Sequence, residues 1–185
     1  SRDAALSTFG LSLDRPVLAL CPGAEFGEAK RWPSEHYAKV AELKIRAGWQ
    51  VWIFGSKNDH SVGEDIRSRL IPGLREEANN LAGDTSLAEA IDLMSCAGAV
   101  VSNDSGLMHV AAALNRPLVA VYGSTSPGFT PPLAEHVEVV RLGLACSPCF
   151  DRTCRFGHYN CLGDLKPRVV IEALGRLVSD PVEVE

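Results

Sequence analysis

Short, unbroken apolar runs alternate along this chain with stretches whose apolar residues recur every three to four positions. Residues 17–21 (Val-Leu-Ala-Leu-Cys) stop at Pro22-Gly23, residues 50–54 at Gly55, residues 99–102 at Asn103 and residues 117–122 at Gly123. A run of this length without polar alternation suits a strand buried on both faces. Between the runs lie helical patterns. One starts at Ser34 with Val40, Leu43 and Ala47, and stops at Gly48; another spans 61–70 with Val62, Ile66 and Leu70, closed by Pro72-Gly73. Ser86-Leu-Ala-Glu89 is a capping box that opens a stripe of Leu87, Ala90, Ile91 and Met94. Leu107, Val110, Ala111 and Leu114 form a further stripe, and Val169, Val170, Ala173, Leu174 and Leu177 the last. A short strand is expected at 80–82 and a sixth at 137–142. The sequence therefore predicts an α/β fold: a Rossmann-like parallel sheet of about six strands with helices on both faces.

With 185 residues and 46% hydrophobic composition, the chain is long and apolar enough for one self-sufficient domain over 1–185. Its net charge of −5 argues against a nucleic-acid binder. No apolar run reaches the roughly 20 residues of a membrane span, and the opening Ser-Arg-Asp-Ala-Ala-Leu-Ser-Thr has no signal-peptide core. A cytoplasmic setting is the expectation. Because the chain opens on Ser1 rather than Met, it is expected to be an excised piece of a longer protein.

In a parallel sheet, ligands bind beyond the carboxyl ends of the strands. Four segments are candidates. After the first strand come Gly23, where backbone can approach an anion, and Lys30, a point charge for a phosphate; the bland alternative is a solvated loop. After residues 99–102 comes Asn103-Asp-Ser-Gly-Leu-Met-His109. There Asp104 or Ser105 could cap a helix, and Gly106 leaves room for a phosphate at the helix amides. His109 lies one turn on from Ser105. An ordinary cap is the alternative. Two anion sites at neighbouring strand ends point to a diphosphate. Asp59, after the second strand, is placed either to accept from ribose hydroxyls or to cap the next helix. Ser124 and Thr125, after the strand at 117–122, either touch the ligand or form a plain turn. None of these matches a Walker loop or a dinucleotide fingerprint.

A Cys-rich loop is expected at 143–165, before the last helix. Its Cys146-x2-Cys149-x4-Cys154-x6-Cys161 spacing, with His158 inside, admits a structural zinc, a redox-labile bridge or a loop of free thiols. Cys21 and Cys96 read as buried thiols. Between Arg141 and Arg168, five basic residues meet two acids. That excess could face an anionic acceptor or a membrane surface, or be an ordinary solvated face.

The segments 22–33 and 103–117, together with Tyr122-Gly-Ser-Thr-Ser-Pro127, resemble lipopolysaccharide heptosyltransferases of glycosyltransferase family 9. The likeness runs from about Val17 to Leu177. It implies the C-terminal half of a two-domain GT-B enzyme that transfers heptose, with inversion and without a metal cofactor, from ADP-heptose to the inner-core heptose of lipopolysaccharide. It further implies that the acceptor site and catalytic base lie in an N-terminal domain absent from this chain. Contact with the cytoplasmic face of the inner membrane follows from such an acceptor. By position in the family's motifs, Lys30 matches the phosphate-binding lysine. Asp104, Ser105, Gly106 and His109 match the donor-binding turn, and Asp59 stands where the family places an acid on the ribose. Two other readings compete: a non-catalytic nucleotide-binding or regulatory module, and a zinc-dependent interaction module built on the Cys loop.

Overall fold

A computed structural model describes residues 1–25, 27–125, 128 and 134–182 of the chain. Phe26, much of the loop after Thr125 (126, 127, 129–133) and residues 183–185 lie outside the described residues. In chain order the elements are α1 (Arg2–Phe9), β1 (Val17–Cys21), α2 (Ser34–Arg46), β2 (Gln50–Ile53), α3 (His60–Ser68), α4 (Pro72–Arg75), β3 (Ala78–Asn80) and α5 (Leu87–Met94). They continue with β4 (Ala99–Asn103), α6 (Gly106–Ala113), β5 (Leu118–Val121), β6 (Val137–Val140), α7 (Asn160–Gly163) and α8 (Pro167–Leu177).

All six strands form one parallel sheet in the order β3-β2-β1-β4-β5-β6. Every residue of β1, β2, β4 and β5 is buried, including the polar Gln50, Ser102 and Asn103 near strand ends, as strands covered on both faces require. The pleat sends alternate residues to opposite faces. Leu18, Leu20, Val51, Ile53, Val101, Val119 and Val121 join α2, α3 and α8 in one core layer. Val17, Ala19, Cys21, Trp52, Val100, Leu118 and Ala120 join α1, α5 and α6 in the other. This is the Rossmann-like α/β architecture that the alternation of runs and stripes implied.

The differences from the sequence reading are local. Helix α1 lies where no element was expected; Ser1 Oγ accepts from Ala4 N–H, and Gly10, in the left-handed region at φ 62°, ends it. Helix α1 packs against α5, and Ala5 is its buried residue. Pro72-Gly73 does not merely close α3; it opens α4, where proline suits the first turn because its missing N–H would have had no partner there. The third strand sits two residues before its expected place, since pairing with β2 sets Val51 opposite Ala78 and Ile53 opposite Asn80. The short helix α7 lies inside the Cys-rich loop. Among the described residues, no helix is long and apolar enough to cross a membrane.

Candidate functional site

The sheet's strand order reverses direction at β1, which lies between β2 and β4. There Cys21 pairs with Ser102, so the chain leaves β1 and β4 side by side. A crevice opens at such a point because the two connections run to opposite faces. It is occupied here by a cleft of about 730 Å³. Gly23, Lys30, Asp59, Asp104, Ser105, Gly106 and His109 all line it. Seven residues from the segments that follow three strands thus line one cleft.

Asn103, the last residue of β4, ties these loops together. Its side chain is fully buried and uses both ends. Nδ2–H donates to Pro22 C=O at 2.7 Å and Gly23 C=O at 3.4 Å. Oδ1 accepts from Tyr37 O–H at 2.6 Å and Trp32 N–H at 3.2 Å. The turn after β1, the end of the Lys30 segment and α2 are all pinned to the end of β4. Trp32 Nε1–H in turn donates to Leu165 C=O at 2.8 Å.

Lys30 closes a three-residue helical turn, Glu28–Lys30. Its Nζ lies 3.2 Å from Asp104 Oδ2, and the Asp104 side chain is only 4% exposed. Thr125 O–H donates to the same oxygen. Ser105 takes the N-cap position of α6, but its side chain makes no capping bond; its Oγ lies 3.4 Å from Ser102 Oγ instead. The capping alternative is therefore not met by Ser105, and among the described residues no side chain caps the first turn of α6, which borders the cleft. An uncapped N-terminus attracts anions. A Cβ built on Gly106 would meet nothing within 4 Å.

Asp59 reaches the cleft through a different route. Its Oδ2 accepts from Ser56 N–H at 2.8 Å and Ser56 O–H at 3.0 Å, within a capping box. It makes no side-chain cap on α3, so the capping alternative takes a form the sequence did not suggest. A Cβ on Gly23 would lie 2.3 Å from the Asp59 carboxyl carbon. Glycine at 23 is therefore required by the close approach of Asp59. Ser124 and Thr125 do not line the cleft; both are buried behind it, and Thr125 acts on it through Asp104.

Sequence reading missed part of the lining. Thr85, Ser86, Leu87 and Ala90 around the start of α5, with Leu107 and Val110 of α6, also line the cleft. The capping box at Ser86 located that helix end but not its position in space. At the Cys-rich loop, the thiols are free. Among the described residues, no group of three or more His, Cys, Asp or Glu side chains is arranged to hold a metal ion, so the zinc alternative finds no support. Among the five basic residues between Arg141 and Arg168, Arg155 pairs with Asp151 and Arg168 with Glu172, each at 2.8 Å.

Comparison with known proteins identifies the frame of this site. The model of glycosyltransferase family 9 (heptosyltransferase) matches residues 1–160. The chain belongs to glycosyltransferase family 9. Among family 9 relatives, lipooligosaccharide heptosyltransferase 2 of Haemophilus influenzae is 50% identical over 169 residues, covering 90% of this chain and 48% of the relative. Lipopolysaccharide heptosyltransferase 2 of Escherichia coli K12 is 48% identical, covering 92% and 49%. The solved structure of the E. coli ADP-heptose heptosyltransferase II superposes with a TM-score of 0.86 at 46% identity, covering 95% of this chain and 50% of that one. An E. coli heptosyltransferase solved with ADP-2-deoxy-2-fluoro heptose shares the fold at 24% identity and a TM-score of 0.68. The chain spans about half the length of the relatives it matches.

Two outcomes test the geometry. Asn103→Leu leaves Trp32 N–H, Tyr37 O–H and Pro22 C=O buried without their partner, and should lower the unfolding free energy by about 3 kcal/mol in urea denaturation. An unchanged midpoint would contradict the role given to Asn103. Burial pushes the Cys21 thiol up to about 12 from an ordinary 9.0. The folded state then holds a proton that the unfolded chain releases. The stability from this site is full below pH 9 and is lost as pH rises toward 12. Cys21→Ala should flatten the alkaline fall in melting temperature relative to the parent chain.

Proposed function

We propose that this chain is the donor-binding half, over 1–185, of a heptosyltransferase that transfers heptose from ADP-heptose to the inner-core heptose of lipopolysaccharide. The observation that carries the reading is the single cleft that Lys30 and the uncapped start of α6 enter together. Glycosyl transfer expels the nucleoside diphosphate as an anion. A cation and fixed N–H dipoles at a poorly hydrated site stabilise that charge as it develops. Lys30, with its side chain 15% exposed, and the Gly106 end of α6 supply both. Heptosyltransferases solved with ADP and with an ADP-heptose analogue support the same ligand class here.

In this reading Gly23, Lys30, Ser105, Gly106 and His109 surround the diphosphate. Asp59 accepts from the ribose hydroxyls, and Asp104 is placed to accept from a sugar hydroxyl. Thr125 supports the donor through Asp104 rather than by touching it, and Ser124 holds Ala29, the neighbour of Lys30, through its backbone N–H. No step calls for a metal cofactor, because the charge on the leaving group is met by protein groups. An inverting reaction needs a base for the acceptor hydroxyl. That base, and the acceptor site, belong to an N-terminal domain that the relatives' greater length accommodates. The acceptor is anchored in lipid, so the enzyme works in the cytoplasm at the face of the inner membrane.

Calorimetry with ADP tests the reading. The folded chain should bind ADP, and Lys30→Ala should raise its Kd about tenfold or more by removing a charge-assisted contact. A folded sample that binds no ADP at millimolar ligand would sink it. The chain alone should transfer no heptose from ADP-heptose to a core acceptor; turnover by the isolated chain would refute the assignment of the base to another domain.

A further inference from the structure

The donor reading leaves the Cys-rich loop without work, yet this loop packs on the segment that carries Lys30. Ala29, the neighbour of Lys30, donates its N–H to Arg152 C=O at 3.1 Å. Gly27 makes that approach possible: it holds φ at 146°, and a Cβ there would sit 2.4 Å from the Arg152 carbonyl oxygen. On the other side, Ser124 N–H donates to Ala29 C=O at 3.4 Å, and Phe150 N–H donates to Ser124 C=O at 2.6 Å. Tyr159 O–H donates to Glu28 Oε2 at 3.2 Å. Both backbone groups of Ala29 are thus held by the loop or by a residue the loop holds. The position of Lys30 inherits from these bonds.

The thiols face the same contact. Cys146, Cys149, Cys154 and Cys161 line one small cavity with Ala29 and Ser124. Its volume, about 20 Å³, is room for one water. The Ser124 hydroxyl, 1% exposed, points into a region where it finds no partner among the described residues. All four thiols are free and partly accessible. The Cys154 thiol lies below the ordinary range, held there first by the backbone N–H of Tyr159 and then by those of its neighbours. A thiol so placed is more often the nucleophilic thiolate. No residue lines both this cavity and the donor cleft.

We propose that the Cys-rich loop is a positioning strut for Lys30, and that alkylation of its thiols by a soft electrophile weakens donor binding. The inference rests on the donor reading of the cleft. In the modification, thiolate sulfur attacks the carbon of an alkyl halide. The S–C bond forms, the carbon–halogen bond breaks, halide leaves with the electron pair, and the thiol proton goes to solvent. A cavity that holds one water cannot accept the added group. The adduct displaces Ala29 or Ser124, and Lys30 moves with Ala29. Because the thiols lie outside the cleft, the loss is transmitted rather than a direct block.

The test uses the full chain carrying Cys96→Ser, since Cys96 is the other partly accessible thiol and the buried Cys21 thiol stays protonated. Iodoacetamide is the probe, and peptide mass counts adducts on the loop. Two quantities are read: ADP affinity by calorimetry, and acylation of the Lys30 amine by peptide mass. Alkylation should raise the Kd for ADP about tenfold, a usual coupling between sites, and speed Lys30 acylation with circular dichroism unchanged. Four alkylated loop thiols with unchanged Kd and unchanged Lys30 labelling would overturn the proposal. If the unmodified chain binds no ADP, the donor reading falls, and Lys30 labelling alone decides the strut. Should alkylation unfold the chain, Tyr159→Phe removes only the hydroxyl on Glu28. A raised Kd at parental melting temperature then supports the strut, and an unchanged Kd overturns it.

Discussion

Parallel pairing of β1 with β4 is the constraint on which the rest of this molecule depends. With Cys21 opposite Ser102, two chain segments leave the sheet as neighbours and must then diverge to opposite faces. Divergence opens a crevice and also exposes backbone groups that need partners. Asn103 meets that need with one amide: its donor end holds the turn after β1, and its acceptor end holds α2 and Trp32. The cleft is therefore shaped from below, by buried hydrogen bonds, before any ligand-facing side chain is considered. Lys30, Asp59 and Asp104 converge because the backbone beneath them is fixed.

The electrostatics of the cleft follow from that convergence. Asp104 sits nearly out of water with Thr125 and Lys30 on the same carboxylate oxygen. A buried carboxylate without such partners would be costly. Lys30 gains a short, ordered reach toward the start of α6, where the helix leaves its N–H groups uncapped. Cation and dipole then act from the same side of the cleft, which suits an anion whose charge grows during a reaction.

Much of this fold was legible in sequence because burial on both faces of a parallel sheet leaves a strong mark. Residues 17–21, 50–54, 99–102 and 117–122 read as strands from their apolar runs, and the carboxyl ends of the first three located loops that line the cleft, whereas the loop after 117–122 does not line it. The rest depends on contacts between distant residues, which leave no local mark. β3 lies two residues from its expected place because Val51 and Ile53 select its register, and Ala-Asn-Asn carries little hydrophobic signal. Helix α1 was not read from the sequence; it is bounded by Ser1 and Gly10 and packs on α5. Glycine at 23 looked like an opening for an anion, whereas the structure shows it making room for the Asp59 carboxylate. Nor could spacing reveal that Arg152 in the Cys-rich loop meets Ala29, more than a hundred positions away.

The ion pair between Lys30 and Asp104 sets a threshold for whatever enters the cleft. An intramolecular carboxylate already in contact competes at the high effective concentration of a tethered partner. A weakly held anion, offering one diffuse charge, must displace that carboxylate with little to replace it. On the donor reading proposed above, a diphosphate would reach lysine and helix amides at once and add its nucleoside contacts to the exchange. The occupied lysine would then act as a filter against small anions, yielding to a ligand that engages several elements together.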